Sequence, residues 1–381
     1  MTIRLCLIAT DAISFNVLYR GQLEFLQRAG LSLTLVCGGD AEEVSRLCQR
    51  QVGRVVNLGF VRKPSPLRDA LVLLRLIGHL LVNRYDMVVS TTPKAILLGS
   101  VASWLARQRC RIAFFQGRVY ENASGLRRRL FAGLDRLAIG LSTRALFVSG
   151  SLLAAYRTEG LIPANRGEVV GAGSVNGVDV TRFDSGNYGD DAINTLKQEL
   201  GIAHDQLVAL TVGRVCPEKG LAELIWIAEA FAGRDLVFVV VGPVESGSGA
   251  AAASLFALPN VRHVPFTTDV PRYFAMADVH LFLSHREGFG NVAVEAASCG
   301  VPTIAFDVVG VMDSVADGVS GVRVPLGNMD SVKMVLEKAM QDLPAFHSSF
   351  KGAREWVKGV YAKEHVWSSF LAFFEGGGSA K

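Results

Sequence analysis

The chain has 381 residues, half of them hydrophobic and about a fifth charged, with a formal net charge of +4. That length exceeds one ordinary core and points to two domains of under about 200 residues each, and that composition excludes a disordered chain. Mean hydropathy is +0.31, yet the most apolar long stretch, Leu67 to Val82, is broken by Arg68, Asp69, Arg75 and His79, which excludes the run of about 20 apolar residues that a spanning helix needs.

In chain order, the opening residues carry a short apolar run ended by Asp11 and read as a buried first strand rather than a signal peptide. Strands are predicted at Arg4–Ala9, Ser32–Cys37, Val55–Leu58, Met87–Ser90, Ile112–Phe115 and Ala145–Val148, with helices between most of them. Apolar runs alternating with helices imply a parallel sheet covered on both faces, with ligands at the carboxyl ends of its strands. From Ser174 to Asp191 the composition turns to Gly, Asn, Asp and Ser, a loop signature and a domain boundary. A second series follows at Leu207–Val212, Val237–Val241, His263–Val264, Val279–Leu283, Thr303–Ala305 and Gly321–Val324. A last helix, Glu364–Phe374, places Val366, Phe370 and Phe374 on one apolar face. The domains are therefore drawn at 1–178 and 179–363, with a helix 364–375 returning to the first domain and a flexible tail 376–381.

The six cysteines form no C-x-x-C and read as buried free thiols of a reducing compartment. No H-x-x-x-H and no D-x-D occurs, so no metal is expected. The net charge hides a split: roughly 24 basic and 12 acidic residues up to Arg182, against roughly 15 and 23 beyond it. The basic half is expected to face an anion. Its arginines are interleaved with long apolar helices, which favours an anionic membrane surface or a phosphorylated lipid over nucleic acid. Arg127-Arg128-Arg129, with Leu126, Leu130 and Phe131, reads as membrane-surface contact, with a solvated helix face as the plainer alternative. Leu71–Val82 reads as a core helix.

Two segments carry chemistry. Arg286-Glu287-Gly288-Phe289-Gly290-Asn291, followed by Glu295, leaves a predicted strand and opens a helix. Its glycines permit close backbone approach, the helix start offers N–H groups to an anion, and the carboxylates accept from sugar hydroxyls. On the glycines alone, an ordinary strand–turn–helix fits equally well. Gly213-Arg214-Val215-Cys216-Pro217-Glu218-Lys219-Gly220 leaves the first strand of the second domain, and Arg214 with Lys219 is suited to clamp a diphosphate. A solvated basic loop is the alternative.

These two segments, in this order, resemble the retaining family 4 glycosyltransferases of GT-B fold. Ser174–Phe183, containing Asn176-Gly177-Val178-Asp179, is similar to the segment ending the first domain in that family. Asp313–Val324 is similar to its Glu-x-Val…Gly-x-x-Gly stretch, with Asp313 in place of Glu. The resemblance implies an α/β chain of two Rossmann-like doubly wound parallel-sheet domains facing a central cleft. It implies that Arg214 and Lys219 hold the donor diphosphate, that Glu295 accepts from the ribose hydroxyls, and that Glu287 contacts the transferred sugar. Gly288 and the backbone of Phe289, Gly290 and Asn291 would bind sugar and phosphate. Arg214, Lys219 and Glu287 are thus the catalytic set, with no cofactor and no metal. The first domain departs from the pattern: its first loop, Asp11 to Asn16, has no glycine, leaving Ser14 as a donor contact. Gln116 stands where many members have histidine, which excludes acid–base catalysis there.

Thr91–Lys94, Gly117-Arg118 and Ser174–Asp179 look like the subgroup that builds bacterial surface glycans on a polyprenyl-diphosphate carrier. Lys94, Gln116, Arg118 and Asn176 are then the acceptor contacts, Lys94 and Arg118 at the ends of neighbouring strands being suited to hold an acceptor diphosphate, with solvated loop residues as the equal alternative. The expected activity is transfer of a hexose or N-acetylhexosamine from a UDP-sugar to a lipid-linked glycan, at the inner face of the cytoplasmic membrane. A nucleotide-sugar 2-epimerase of the same fold is the alternative. A dinucleotide oxidoreductase lacks its G-x-G-x-x-G after the first strand.

Overall fold

The structure is a computed structural model and describes residues 2–121 and 123–377. Two compact units are present: Met1–Gly177 with Glu364–Lys381, and Val178–Lys363. Of the expected tail, residues 378–381 lie outside the described residues.

The first unit runs β1 (Arg4–Ile8), α1 (Ala12–Leu18), α2 (Gln22–Arg28), β2 (Ser32–Cys37), α3 (Ala41–Gln49), β3 (Arg54–Asn57), α4 (Pro66–Val82), β4 (Met87–Thr91), α5 (Pro93–Leu105), β5 (Arg111–Phe115), α6 (Gly125–Leu141), β6 (Arg144–Phe147), α7 (Gly150–Thr158) and β7 (Glu168–Val169). Its parallel sheet has the order β3-β2-β1-β4-β5-β6-β7. The central strands are short and apolar because both their faces are covered, as Leu5, Ile8, Val88 and Ala113 show by their burial. Helices begin where polar side chains cap them: the Asp11 carboxylate accepts from the Ser14 N–H at the start of α1, and Ser149 does the same for α7.

The second unit runs α8 (Asp190–Glu199), β8 (Leu207–Val212), α9 (Leu221–Ala230), β9 (Leu236–Val241), α10 (Gly249–Phe256), β10 (Val261–Val264), α11 (Val270–Met276), β11 (Val279–Phe282), α12 (Asn291–Ser298), β12 (Thr303–Phe306), α13 (Val311–Ser314), β13 (Gly321–Val324), α14 (Met329–Gln341), α15 (Leu343–Ser348) and α16 (Ala353–Val360). Its parallel sheet has the order β10-β9-β8-β11-β12-β13. The chain then returns to the first unit as α17 (Lys363–Glu375), where Phe370 packs at a tilt against Phe114 and Trp367 against Phe25.

Both units are the doubly wound parallel sheets that the sequence predicts, and every predicted strand is present with ends shifted by at most two residues. The two-residue β7 was not predicted, because Glu168–Val169 has no apolar run to signal it. Helix α4, read as a core helix, buries Val72, Leu76 and Leu80 in the core of the first unit and in addition leaves Leu67, Leu71, Leu74, Leu81 and Val82 exposed as a second apolar face. Among the described cysteines Cys48 is exposed and Cys110 half-buried, the other four being buried.

Candidate functional site

In the second unit the connection after β8 leads to β9 on one side, and the connection after β11 leads to β12 on the other. Strands β8 and β11 are neighbours, so the gap between their carboxyl ends is the switch point where such sheets bind ligands. A small recess opens there, lined by Gly213, Arg214, Lys219, Phe282 and Ser284 among others.

Two glycines bring the backbone in close. Gly220 has φ +81°, and a β-carbon on it would lie 2.4 Å from the Leu283 carbonyl oxygen, so the end of the 213–220 loop rests directly on β11. Gly290 faces Phe282 and Ser314, each 2.5 Å from where its β-carbon would stand. Gly290 also precedes α12, whose first turn has no side-chain cap.

The loops after β8 and β11 are joined by charge. Lys219 pairs with Glu287, both largely buried, and its ammonium lies 6.0 Å from the Phe282 ring centre. One residue earlier on each loop, Arg286 Nη2 donates to both carboxylate oxygens of Glu218 at 2.6 Å. The His285 N–H donates to the Glu218 carbonyl at 2.9 Å, and the His285 ring reaches Glu223 at 2.7 Å. Glu218-Lys219 therefore meets Arg286-Glu287 as two complementary dipeptides. Arg214 stands apart from this cluster and pairs with Glu245 at 2.7 Å, both side chains being nearly half exposed.

Glu295 is half-buried on α12. Burial raises its carboxyl to about 7, with Arg182 pulling it slightly back down. Phe289 is buried against Tyr361 at 5.1 Å between ring centres. The Asn291 N–H already donates to the Phe289 carbonyl at 3.0 Å, so this donor, expected to face the ligand, is engaged within its own loop.

In the first unit the expected contact residues are tied to internal partners. Ser14 Oγ donates to the Asp11 carboxylate at 3.2 Å. Lys94 donates at 2.7 Å to the Val61 and Lys63 carbonyls and to Asp69, which engages all three ammonium protons. Arg118 is only 5% exposed. Its guanidinium binds Glu121 at 2.5 Å and Glu159 at 2.7 Å and lies 5.5 Å from the rings of both Tyr120 and Tyr156. Lys94 and Arg118 do follow neighbouring strands, but their partners lie on different segments. Gln116 donates to the Tyr19 hydroxyl at 2.7 Å. Asn176 donates to the Arg20 carbonyl and accepts from the Trp367 indole. Arg128 turns inward to Glu159 and the Glu121 carbonyl, so of the Arg127–Arg129 run only Arg127 and Arg129 are exposed.

Sequence reasoning missed the Glu218–Arg286 and Glu223–His285 pairs and the Glu245 partner of Arg214. The first was readable: acid-base on one loop and base-acid on the loop of a neighbouring strand is a complementary pattern.

Among the described residues no group of three or more His, Cys, Asp and Glu could hold a metal ion, and no helix is long and apolar enough to cross a membrane.

Residues 19–173 match the model of a glycosyl transferase 4-like domain, and residues 192–356 match that of glycosyl transferases group 1. The capsular polysaccharide biosynthesis glycosyltransferase CapM of Staphylococcus aureus is 26% identical over 94% of this chain and 93% of its own length. A D-inositol 3-phosphate glycosyltransferase of Geodermatophilus obscurus is 33% identical over 48% of this chain and 44% of its own. Among solved structures, Anabaena HepE in complex with UDP superposes with a TM-score of 0.79 at 19% identity, over 99% of this chain and 100% of that one. The two Rossmann-like units and these neighbours give the GT-B fold. The relatives named here are transferases, which does not favour a 2-epimerase.

Proposed function

We propose that this chain, a GT-B glycosyltransferase with a 4-like domain followed by a group 1 domain, is a retaining, metal-independent enzyme. It moves a hexose or N-acetylhexosamine from a UDP-sugar to a polyprenyl-diphosphate-linked bacterial surface glycan. The observation that carries the reading is the Lys219–Glu287 pair beside the recess at the β8–β11 switch point. A cation for a diphosphate and a carboxylate for sugar hydroxyls stand there side by side.

The hard step is departure of the nucleoside diphosphate, and preorganised positive charge is the largest lever on it. In this reading the incoming diphosphate takes Lys219 from Glu287, which frees the carboxylate to accept from the transferred sugar. Arg214 exchanges Glu245 for the same diphosphate, a cheap exchange because an exposed ion pair is worth little. Glu295 accepts from the ribose hydroxyls. Gly288, Phe289, Gly290 and the start of α12 receive sugar and phosphate. An oxygen of the donor phosphate takes the proton of the acceptor hydroxyl on the face the leaving group vacates, so the anomeric configuration is kept.

The UDP in the HepE complexes and the capsular role of CapM support a UDP-sugar and a surface-glycan acceptor. Lys94, Gln116, Arg118 and Asn176 remain the proposed acceptor side of the first unit, acting chiefly by shaping its loops, since their polar groups are engaged there. The enzyme works at the inner face of the cytoplasmic membrane.

The test is a screen of nucleotide sugars for release of free nucleoside diphosphate, with and without a polyprenyl-diphosphate glycan. Release from a UDP-sugar, stimulated by that acceptor and unaffected by EDTA, is the expected result. Loss of activity with EDTA, restored by a divalent ion, contradicts the metal-free mechanism. Full activity on a phosphate-free soluble acceptor removes the lipid-linked one.

A further inference from the structure

Half of the exposed large hydrophobic side chains of the described residues lie on α4, α5 and α6. These three helices form one layer, α5 packing against α4 on one side and α6 on the other. Helix α4 exposes Leu67, Leu71, Leu74 and Leu81, spaced so that they share the face opposite its buried Val72, Leu76 and Leu80. Helix α6 exposes Leu126, Leu130 and Leu137 in the same spacing. Trp104 is exposed at the end of α5, between them. Leu67 is 89% and Leu126 83% exposed, which a fold burying its apolar surface does not require.

The exposed charges on this layer are of one sign. Arg68 and Arg75 on α4 and Arg127, Arg129 and Arg136 on α6 are exposed. The three helices carry only two carboxylates, and neither serves these arginines: Asp69 binds Lys94, and Asp135 accepts from the Tyr120 and Tyr156 hydroxyls. Two outward leucine stripes with arginines beside them and no competing acid match the boundary of an anionic bilayer, where leucines enter the acyl region and guanidiniums meet phosphates.

We infer that the α4–α5–α6 layer is the docking face of this protein for an anionic membrane, with α4 as a second rail beside α6. This rests on the membrane-peripheral reading above and names the surface that carries it. The inwardly held Arg128 contributes to holding α6 rather than to lipid.

Co-sedimentation with vesicles of phosphatidylglycerol and phosphatidylcholine tests it, using the full chain. Wild type should bind these vesicles, bind pure phosphatidylcholine far more weakly, and show a blue shift of tryptophan emission that Trp104→Phe removes. Leu67→Ser with Leu74→Ser on α4 should lower vesicle partitioning by about tenfold or more, as should Leu126→Ser with Leu130→Ser on α6. All four side chains are exposed, so thermal unfolding and release of nucleoside diphosphate without acceptor should stay as in wild type. If the α4 pair binds like wild type while Arg127→Ser with Arg129→Ser does not, the two-rail face is wrong and membrane docking through α6 alone stands. If wild type ignores anionic vesicles and sediments as a dimer that the α4 pair dissociates, the layer is a subunit interface and the inference falls. The transferase reading is judged separately, by the nucleoside diphosphate release.

Discussion

Glu287 is held against the Lys219 ammonium, whereas Glu295 sits half-buried on α12 with its carboxyl raised to about 7 by burial. The two should fail differently when neutralised. Glu287→Gln releases Lys219 from its internal partner, so nucleoside diphosphate should bind as well as before or more tightly, while turnover falls by about 10²-fold. Glu295→Gln should weaken nucleoside diphosphate binding instead, since a ribose contact is made in ground and transition states alike. Calorimetry separates them, and equal loss of affinity in both variants contradicts the division. The raised carboxyl adds a pH dependence. Above about 7 Glu295 is ionised, the form proposed to accept from the ribose hydroxyls; as pH falls through about 7 it is protonated and that acceptor would weaken. Nucleoside diphosphate affinity in wild type should therefore drop about fivefold from pH 8 to pH 6, the scale separating charged from neutral hydrogen bonds. Subtracting the profile of Glu295→Gln removes the ligand's own titration, and identical profiles would sink the assignment. Arg118 belongs to another kind of residue. Removing this buried cation strands Glu121 and Glu159, so Arg118→Ala should lose about 3 kcal/mol of stability in denaturant unfolding. A variant as stable as wild type but unable to transfer would restore Arg118 as a direct acceptor contact.

At the scale of elements, the loop after β8 and the loop after β11 act as one part because Glu218 grips Arg286 while Lys219 grips Glu287. Only the second pair is assigned to substrate, so the first is a positioning pair. Arg286→Ala and Glu218→Ala should each reduce kcat/KM by about tenfold through a looser Lys219 loop, with the double variant no worse than either single one. The exchanged pair Glu218→Arg with Arg286→Glu should recover part of the loss. Additive losses would mean that the residues act separately. The strands and the two loops were legible because a parallel strand covered on both faces leaves an uninterrupted apolar run, and because glycine and charge cluster at its carboxyl end. Partners across space were less legible. Lys94 and Arg118 read as anion contacts from one dimension, but a cation beside a strand end also satisfies the carbonyls and carboxylates of the next loop, as Asp69 and Glu159 do here. Helix α4 was legible by half: its leucines read as core, which holds for the face of Val72, Leu76 and Leu80, while the exposure of the opposite face depends on what covers it.

At the scale of the whole molecule, the charge split of about +12 against −8, legible in the sequence, has no origin in the fold. Both units are the same doubly wound sheet, so nothing in their packing asks one to be basic and the other acidic. The unit assigned to the anionic donor is the acidic one, which leaves the basic excess to the acceptor side. An anionic surface then attracts the first unit and repels the second, so its field both concentrates and orients the chain. Such a field is long-ranged and screened, whereas the Lys219–Glu287 cluster is short-ranged and largely buried. Salt should separate the two. Raising the salt from about 0.1 M to about 1 M shortens the screening length from about 10 Å to about 3 Å. Transfer to a polyprenyl-diphosphate acceptor in anionic vesicles should fall by tenfold or so over that range, while donor hydrolysis without acceptor changes little. Neutral vesicles carrying the same acceptor should start at the low rate and show no further salt effect. If salt slows hydrolysis and transfer alike, the charge split acts on donor capture. If transfer is equal on neutral and anionic vesicles at every salt concentration, the basic excess of the first half has no part in finding the acceptor.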